Sequence, residues 1–371
     1  MNRNYKVLML INGVGWGGTK EQTYLVTKGL KKEGIDVHIA LADQYDEMRD
    51  KLRPFDVTEH VYEYIGKNSR WSISQARRLA GIIDREGFDF VVANSPKVVG
   101  YLSIAKLFMR TKPCIISVKR SGRKSGWLSK IFKYHIADKI VVVSEGVTEQ
   151  MKRDNFYPEK LVTIQSGVPT DLFQPNTENR IRLRKELGIA EDKKVFINVA
   201  NWNPKVKAQD KLIEAFAKVK DTDALLVLAG GSTDTVAMEH ARKMNVGNRV
   251  IGLGYRNDVP ALLDMADYYV LSSNLEGVAG SVIQAMIMGK VTLSTLAGGI
   301  GSYLKDGENG FTVPVGDFEG MTAKMEKMLG LSPEEEERII REAKRTGETF
   351  SIKKTVEKYI QLFDEIYEGE S

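Results

Sequence analysis

Ile140-Val141-Val142-Val143 offers no face to water. Side chains alternate across a strand, so a run that is apolar at every position must be covered on both sides, as in a parallel sheet clad by helices. Comparable short runs recur, among them Val7-Leu8-Met9-Leu10-Ile11 and the stretch from Ala224 to Ala229. In the first half of the chain, strands are predicted at 6–11, 36–41, 57–62, 89–93, 114–118, 139–143 and 161–164. Helical spacing fills 20–33, 73–86, 96–109, 127–136 and 145–153. Alternating elements of this kind predict an α/β domain with a doubly wound parallel sheet.

The stretch "QSGVPTDLFQPNTE" at 165–178 breaks the rhythm and reads as an interdomain connection. The pattern then restarts. Strands are predicted at 194–200, 224–229, 248–251, 267–271, 290–294 and 309–313, with helices at 207–219, 233–244, 257–264 and 279–288. Residues 318–368 read as helical, broken near 330–333 and near 350. A length of 371 residues suits two domains at ~100–200 residues each. The boundaries expected are 1–168 and 169–350, with 351–371 a terminal helix returning to the N-terminal domain. Open α/β sheets bind ligands beyond the carboxyl ends of their strands, so a cleft between two such domains is the expected site.

Composition excludes several classes. A single cysteine, Cys114, leaves no internal disulfide framework and no cysteine-rich zinc site. The four histidines, His38, His60, His135 and His240, are scattered without metal-ligand spacing. Apolar stretches are strand-sized, far below the ~20 residues a bilayer needs, and a cytosolic protein is expected. The net charge of +5 matters only where the basic residues cluster.

Three segments carry candidate chemistry. "INGVGWGGTKEQ" follows the first strand, and its glycines let backbone approach a ligand at a helix N-terminus. It lacks the Gly-Lys-Ser/Thr of a P-loop and the acidic residue of a convincing dinucleotide site. "NWNPKVKAQDKLIEAF" places Lys205 and Lys207 at a helix opening, where cations and amides together suit a diphosphate. In "SSNLEGVAGSVIQAMIMGKVTLST", Glu276-Gly277 follows a strand and Gly280-Ser281 opens the helix carrying Gln284. A carboxylate there can accept hydroxyl hydrogen bonds from a polyol while the helix end receives an anion. Taken singly, each segment also reads as ordinary surface: a tight turn, solvated lysines, a capping glutamate.

With these segments in order, the chain resembles the retaining glycosyltransferases of family four. The likeness runs through "GVGWGGTKEQTYLVTKGLKKEGIDVHIA", "ADKIVVVSEGVTEQM", "LVTIQSGVPTDLFQP", "KAQDKLIEAF", "LGYRNDVPALLDMADYYVLSSNLEG" and "AGGIGSYLKDGENGFTVPVGD". It implies the GT-B architecture, two facing Rossmann-like domains with a cleft between them. The implied reaction moves a sugar from a nucleotide-sugar donor to a saccharide or lipid-linked acceptor, with retention, and without cofactor or obligatory metal. By the resemblance Lys207 and Glu276 are the catalytic pair, gripping opposite ends of the donor head. Lys205, Gly230, Tyr255, Arg256, Gly277, Gly280, Ser281 and Gln284 are donor-binding. Gly17, Gly18, Lys119 and Arg120 are acceptor-binding. The resemblance also implies a role in cell-surface polysaccharide or lipopolysaccharide assembly, in the cytoplasm or peripheral at the inner face of the plasma membrane.

The sequence departs from the family pattern at several points. The second glutamate of the paired motif is Gln284, the arginine partnering the lysine falls on Trp202, leaving Lys205 in its place, and the glutamate after the later Gly-Gly is Ser302. Two further readings therefore stand beside transfer: a non-catalytic relative that binds sugar or nucleotide and partners another enzyme, and a nucleotide-sugar epimerase. Residues 119–133, "KRSGRKSGWLSKIFK", are basic and amphipathic without an acid, a pattern for an anionic membrane surface, and equally for an apolar side packed into the N-terminal domain with solvated lysines, or for Arg120 and Arg123 holding an acceptor phosphate. No nucleic-acid module accompanies it.

Overall fold

The computed structural model describes residues 5–64, 72–120 and 133–369. They form two units, one of Met1–Gly167 with Ile352–Ser371 and the other of Val168–Ser351. The first unit holds a sheet of β1 (Lys6–Leu10), β2 (Asp36–Ala42), β3 (Thr58–Glu63), β4 (Phe90–Ala93), β5 (Cys114–Lys119), β6 (Lys139–Val142) and β7 (Leu161–Thr163) in the order β3-β2-β1-β4-β5-β6-β7. Every pairing is parallel. The order runs outward from β1 in one direction and then, from β4, in the other, so β1 and β4 flank a topological switch point.

The second unit repeats the plan with β8 (Val195–Val199), β9 (Leu225–Ala229), β10 (Val250–Gly252), β11 (Tyr268–Leu271), β12 (Val291–Thr295) and β13 (Phe311–Val313). Its order is β10-β9-β8-β11-β12-β13, again parallel. Here β8 and β11 flank the switch point. The continuous apolar runs explain the layering. Val195, Phe196 and Ile197 are fully buried, as are Leu8 to Leu10 and Ile140 to Val142, so helices cover both faces of each sheet.

Local chemistry sets the helix ends. Ser72, Ser95, Ser144 and Ser332 cap helices through their side-chain oxygens, and Ser332 with Glu335 forms a full capping box. The helix expected at 96–109 stops at Ala105, because Lys106 to Met109 close it with turn-type hydrogen bonds. Among the described residues, two helices longer than a single turn escape the sequence reading, Asp46–Leu52 and Thr177–Glu186. Both are short and highly charged, and so carry little apolar periodicity. The second occupies part of the segment read as a connection. The helix expected at 127–136 lies mostly outside the described residues, and its described end is π-helical at 133–134 and turn at 135–136 rather than α-helix. Among the described residues no helix is long and apolar enough to cross a membrane.

The final helix, Ile352–Gly369, belongs to the first unit. Phe363 stacks 4.7 Å from Phe90 between ring centroids, and Tyr5 donates its hydroxyl to Asp364 Oδ1 at 2.8 Å.

Candidate active site

In the second unit the segments leaving β8 and β11 meet beside the switch point. After β8 the chain makes a short turn of helix, Pro204–Lys207, passes through Ala208 in the left-handed region at φ 48°, and enters the helix Gln209–Ala217. After β11 it runs from Ser272 to Ala279 before the helix Gly280–Ile287. The Lys207 ammonium donates to Glu276 Oε1 at 2.6 Å, and the Ser273 hydroxyl donates to the same oxygen at 2.6 Å. Glu276 is nearly buried, whereas Lys207 keeps about a quarter of its side chain exposed (28%). Lys207 and Glu276 are therefore direct hydrogen-bond partners in the ligand-free protein, a contact that the sequence did not anticipate. An ammonium has three donors and a carboxylate has two oxygens, so the pair keeps hydrogen-bonding capacity in reserve.

The scaffold beneath the pair is heavily braced. Ser272 Oγ donates to the carbonyls of Lys207 and Ala208, at 2.8 and 3.1 Å. Thr295 Oγ1 donates to the Ser273 carbonyl at 2.6 Å, and the Tyr303 hydroxyl donates to that of Val278. Gly299 N–H donates to the Gly277 carbonyl at 2.9 Å. Gly298 has φ +60°, and a Cβ there would overlap the Glu276 carbonyl oxygen. Ser273, Thr295, Gly298 and Tyr303 are site-building residues that sequence reasoning missed; the Gly-Gly after β12 was the available signal for Gly298. Ser302, where the family pattern has a glutamate, turns its hydroxyl back to the Gly299 carbonyl at 2.7 Å.

Of the remaining donor-side residues, Ser281 accepts a hydrogen bond from the Tyr269 hydroxyl at 2.7 Å, and Gln284 lies half-buried one turn along the same helix from Gly280. Gly230 sits at φ +147°, where a Cβ would overlap the Ala200 carbonyl, so the segments after β8 and β9 touch backbone to backbone. Asn201 Oδ1 accepts from Gly231 N–H at 2.8 Å, and Gly230 N–H donates to the Gly254 carbonyl at 2.8 Å. Tyr255 follows this junction, half-exposed at 53%. Arg256 is committed elsewhere: its guanidinium forms a two-point contact with Asp258 at 2.8 and 2.6 Å and reaches Glu186 at 3.3 Å. The Asp258 bonds raise its pKa above the ordinary arginine value and lower that of Asp258. Lys205 is exposed, and its carbonyl accepts from Asn274 Nδ2 at 3.3 Å. Trp202 packs against the core and sits 6.3 Å from the His240 ring.

The first unit presents its own constellation beyond β1 and β4. Gly17 caps the helix Gly18–Lys32 in extended backbone, and a Cβ at Gly17 or Gly18 would meet nothing within 4 Å. Packing does not demand glycine at either position. Glu63, at the end of β3, accepts the Gly13 N–H at 2.7 Å and pairs with Lys97. Lys20 donates to the carbonyls of Asn12 and Gly13 and lies 4.5 Å over the Tyr45 ring. Burial pulls its amine down to about 8, with Glu63 opposing that shift. Lys20, Tyr45, Glu63 and Lys97 were not singled out from the sequence, since a lone lysine or glutamate in a helix or strand reads as surface.

Arg120 donates to Asn94 Oδ1 at 3.1 Å and to Ser166 Oγ at 3.4 Å, while its Nε is buried with no partner among the described residues. Burial lowers its pKa. Asn94 is followed by Ser95, whose hydroxyl donates to Asn12 Oδ1, so Arg120 and the glycine segment are joined through one hydrogen-bonded chain. Lys119 diverges from this group. Its ammonium lies over Tyr134 and Phe156, 5.4 and 5.0 Å from the ring centroids, and burial lowers its pKa.

The structure also corrects the reading of the histidines as scattered. His38 and His60 are 22 residues apart in sequence, yet β2 and β3 are neighbours and the two rings meet edge to edge, Nδ1 to Nε2 at 2.9 Å, with centroids 5.1 Å apart.

These placements frame the comparisons with known proteins. Residues 16–172 match the Glycosyltransferase Family 4 domain and residues 179–346 the domain of Glycosyl transferases group 1. N-acetyl-alpha-D-glucosaminyl L-malate synthase of Bacillus anthracis is 31% identical over 377 residues, spanning 96% of this chain and 94% of its own. The chain belongs to the family-four glycosyltransferases. A Campylobacter jejuni member, N,N'-diacetylbacillosaminyl-diphospho-undecaprenol alpha-1,3-N-acetylgalactosaminyltransferase, is 23% identical and spans 92% of this chain and 94% of its own. The architecture of this glycosyltransferase is GT-B. Anabaena HepE in complex with UDP and glucose superposes with a TM-score of 0.84 at 18% identity, covering 98% of this chain and all of the other (100%).

Proposed function

We propose that this glycosyltransferase moves a sugar from a nucleotide-sugar, held on its second unit, to a saccharide or lipid-linked acceptor in cell-surface glycan assembly, with retention at the anomeric carbon. The observation that carries the reading is the Lys207–Glu276 pair at the switch point between β8 and β11. As the bond between the anomeric carbon and the diphosphate oxygen breaks, negative charge grows on the departing phosphate. Lys207 and the free amides opening the helix Gly280–Ile287 are the groups that stabilise it. Glu276 orients the sugar by accepting its hydroxyl hydrogens. Charge neutralisation is assigned to these donors; among the described residues the carboxylate of the constellation, Glu276, is engaged by Lys207. Tyr255 and backbone near Gly230 and Arg256 face the base, and Gln284 binds ribose hydroxyls without charge.

Acceptor binding is assigned to the first unit, at Gly17, Gly18 and Arg120. The Campylobacter relative, whose name carries a diphospho-undecaprenol acceptor, supports a lipid-linked one. Peripheral contact with an anionic membrane is assigned to residues 119–133, of which 121–132 lie outside the described residues. A second reading, transfer to a small carboxylic acid, is favoured by the buried Nε of Arg120, which has no partner among the described residues, and by the L-malate in the name of the Bacillus relative.

The test is a transfer assay over UDP-, GDP- and ADP-sugars, with extracted lipid-linked glycan and L-malate as alternative acceptors. The anomeric configuration of the product is read by NMR. Lys207→Ala is expected to lower kcat by about 10²–10³, the usual loss when one charge-stabilising donor is removed. Full activity in that variant, or inversion at the anomeric carbon, would reject the assignment. Donor turnover to an isomeric nucleotide-sugar without acceptor would make the protein an epimerase.

A further inference from the structure

We propose that His38, His60 and Glu86 form a binding site for a divalent transition cation of the zinc class, which fastens edge strand β3 of the first unit to β2 and to the helix Ile73–Glu86. The inference is independent of the transfer reaction and of the residues assigned to it.

The ligand atoms converge. His38 Nδ1 and His60 Nε2 are 2.9 Å apart, and one ring nitrogen of each histidine and a carboxylate oxygen of Glu86 all lie within 4.8 Å of one another. Register explains the meeting. Ala40 pairs with His60 and His38 with Thr58, so both histidines point to the same face of neighbouring parallel strands. That face is covered by the helix Ile73–Glu86, whose last residue supplies the carboxylate. Phe88 meets both imidazoles edge-on, at 5.2 and 6.1 Å, and walls the cluster on the core side.

Protonation is already arranged for ligation. His38 Nε2 lies 3.2 Å from Asp36 Oδ1, and a carboxylate can only accept, so Nε2 carries the proton. His38 Nδ1 is then a lone pair, which accepts from His60 Nε2–H. A carboxylate fixing the far nitrogen of a ligating histidine is the usual support behind such ligands. Cation binding requires one tautomeric change, in which the His60 proton moves from Nε2 to Nδ1 and no proton is lost.

Metal–nitrogen bonds of ~2.0–2.1 Å at a tetrahedral angle separate two nitrogens by about 3.3 Å, so the nitrogens part by a few tenths of an ångström and each ring, now facing the other nitrogen to nitrogen, tilts by roughly 35° toward the ion. Glu86 closes the remaining gap by rotating its own side chain at the helix end. Lys6 now bonds Glu86 Oε2 at 3.2 Å and the Glu86 carbonyl at 3.2 Å, and Arg85 Nε bonds Oε1 at 3.1 Å; when the carboxylate turns, Lys6 retains the carbonyl and the exposed Arg85 is released to water. Two imidazoles and one carboxylate, with the fourth position left to water, are a donor set suited to zinc, cobalt or nickel and not to calcium or magnesium.

The experiment titrates the full-length protein, first stripped with chelator, with Co²⁺ and with Zn²⁺. One equivalent of Co²⁺ should give the visible absorption of a tetrahedral ion, displaced by Zn²⁺. His60→Asn should weaken binding more than 100-fold. Asp36→Asn, at an exposed position, should weaken it about 10–100-fold, the range for loss of a supporting carboxylate. In the unsubstituted protein Zn²⁺ should shift the imidazole resonances of His38 and His60 and leave those of His135 and His240 in place. That spectrum keeps the test valid if a variant fails to fold. Absence of stoichiometric binding, binding indifferent to His60→Asn in a folded variant, or shifts at His135 or His240 instead would each overturn the proposal.

Discussion

At Gly298 the backbone turns left-handed directly against Glu276, and a Cβ there would overlap the Glu276 carbonyl. Alanine would suffer twice, from the conformation, at about 1–2 kcal/mol, and from the displaced carbonyl. Gly298→Ala is therefore expected to destabilise the second unit by roughly 2 kcal/mol or more and to lower kcat by moving Glu276 away from Lys207. Urea unfolding and transfer kinetics read the two effects separately. At Gly17 and Gly18 the situation reverses, since added methyl groups would meet open space. Gly17→Ala should leave the unfolding curve unchanged within about 0.5 kcal/mol while raising KM for the acceptor; an unchanged KM would remove this residue from the acceptor site.

Elements inherit their ends from single buried groups, and Lys290 is a clear case. It stands where the helix Gly280–Ile287 gives way to β12, and its ammonium donates to the Ala266 carbonyl at 2.8 Å. Burial pulls its amine from the ordinary 10.5 down to about 8, helped by Arg180 and opposed by Asp267 and Asp264. Between about pH 8 and 10.5 the unfolded chain therefore holds a proton that the native state has released, and stability rises with pH across that window. The contribution is about 3 kcal/mol by linkage. Subtracting the Lys290→Met unfolding free energies from those of the unsubstituted protein over this range should leave a rising difference. A flat one would mean that the native amine is hydrated.

At the scale of the molecule, the first unit is assembled from two ends of the chain. The helix Ile352–Gly369 buries Val356, Tyr359, Ile360, Leu362 and Phe363, and Thr355 Oγ1 donates to the Gln165 carbonyl at 2.8 Å. Gly29 lies so close beneath it that a Cβ would overlap Val356 Cγ2. Five such side chains, at roughly 1.5–3 kcal/mol each, rival the ~5–15 kcal/mol stability of a whole domain. Ending the chain at Ser351 should thus leave the first unit open to protease while Val168–Ser351 stays resistant. Phe363→Ala alone should cost about 3–5 kcal/mol. Equal protease resistance of both units after truncation would show that the helix is dispensable.

Both sheets were legible in the amino-acid sequence because β-strands with two buried faces are apolar at every position over short runs, and the turn residues bounding those runs separate them from buried helices. The segments holding Lys207, Glu276 and the glycines could be singled out for a related reason: they lie between such strands and the helices that follow, where a doubly wound sheet exposes its binding edge. The helices Asp46–Leu52 and Thr177–Glu186 were not, because their charge conceals the buried stripe that holds them. Nor were the partnerships. That Lys207 bonds Glu276 directly, that Gly298 sits against that glutamate, and that His38 meets His60 across 22 residues are products of strand order and register. Local composition fixes which way a segment buries its side chains; which neighbour it buries them against is decided only when the whole sheet has assembled.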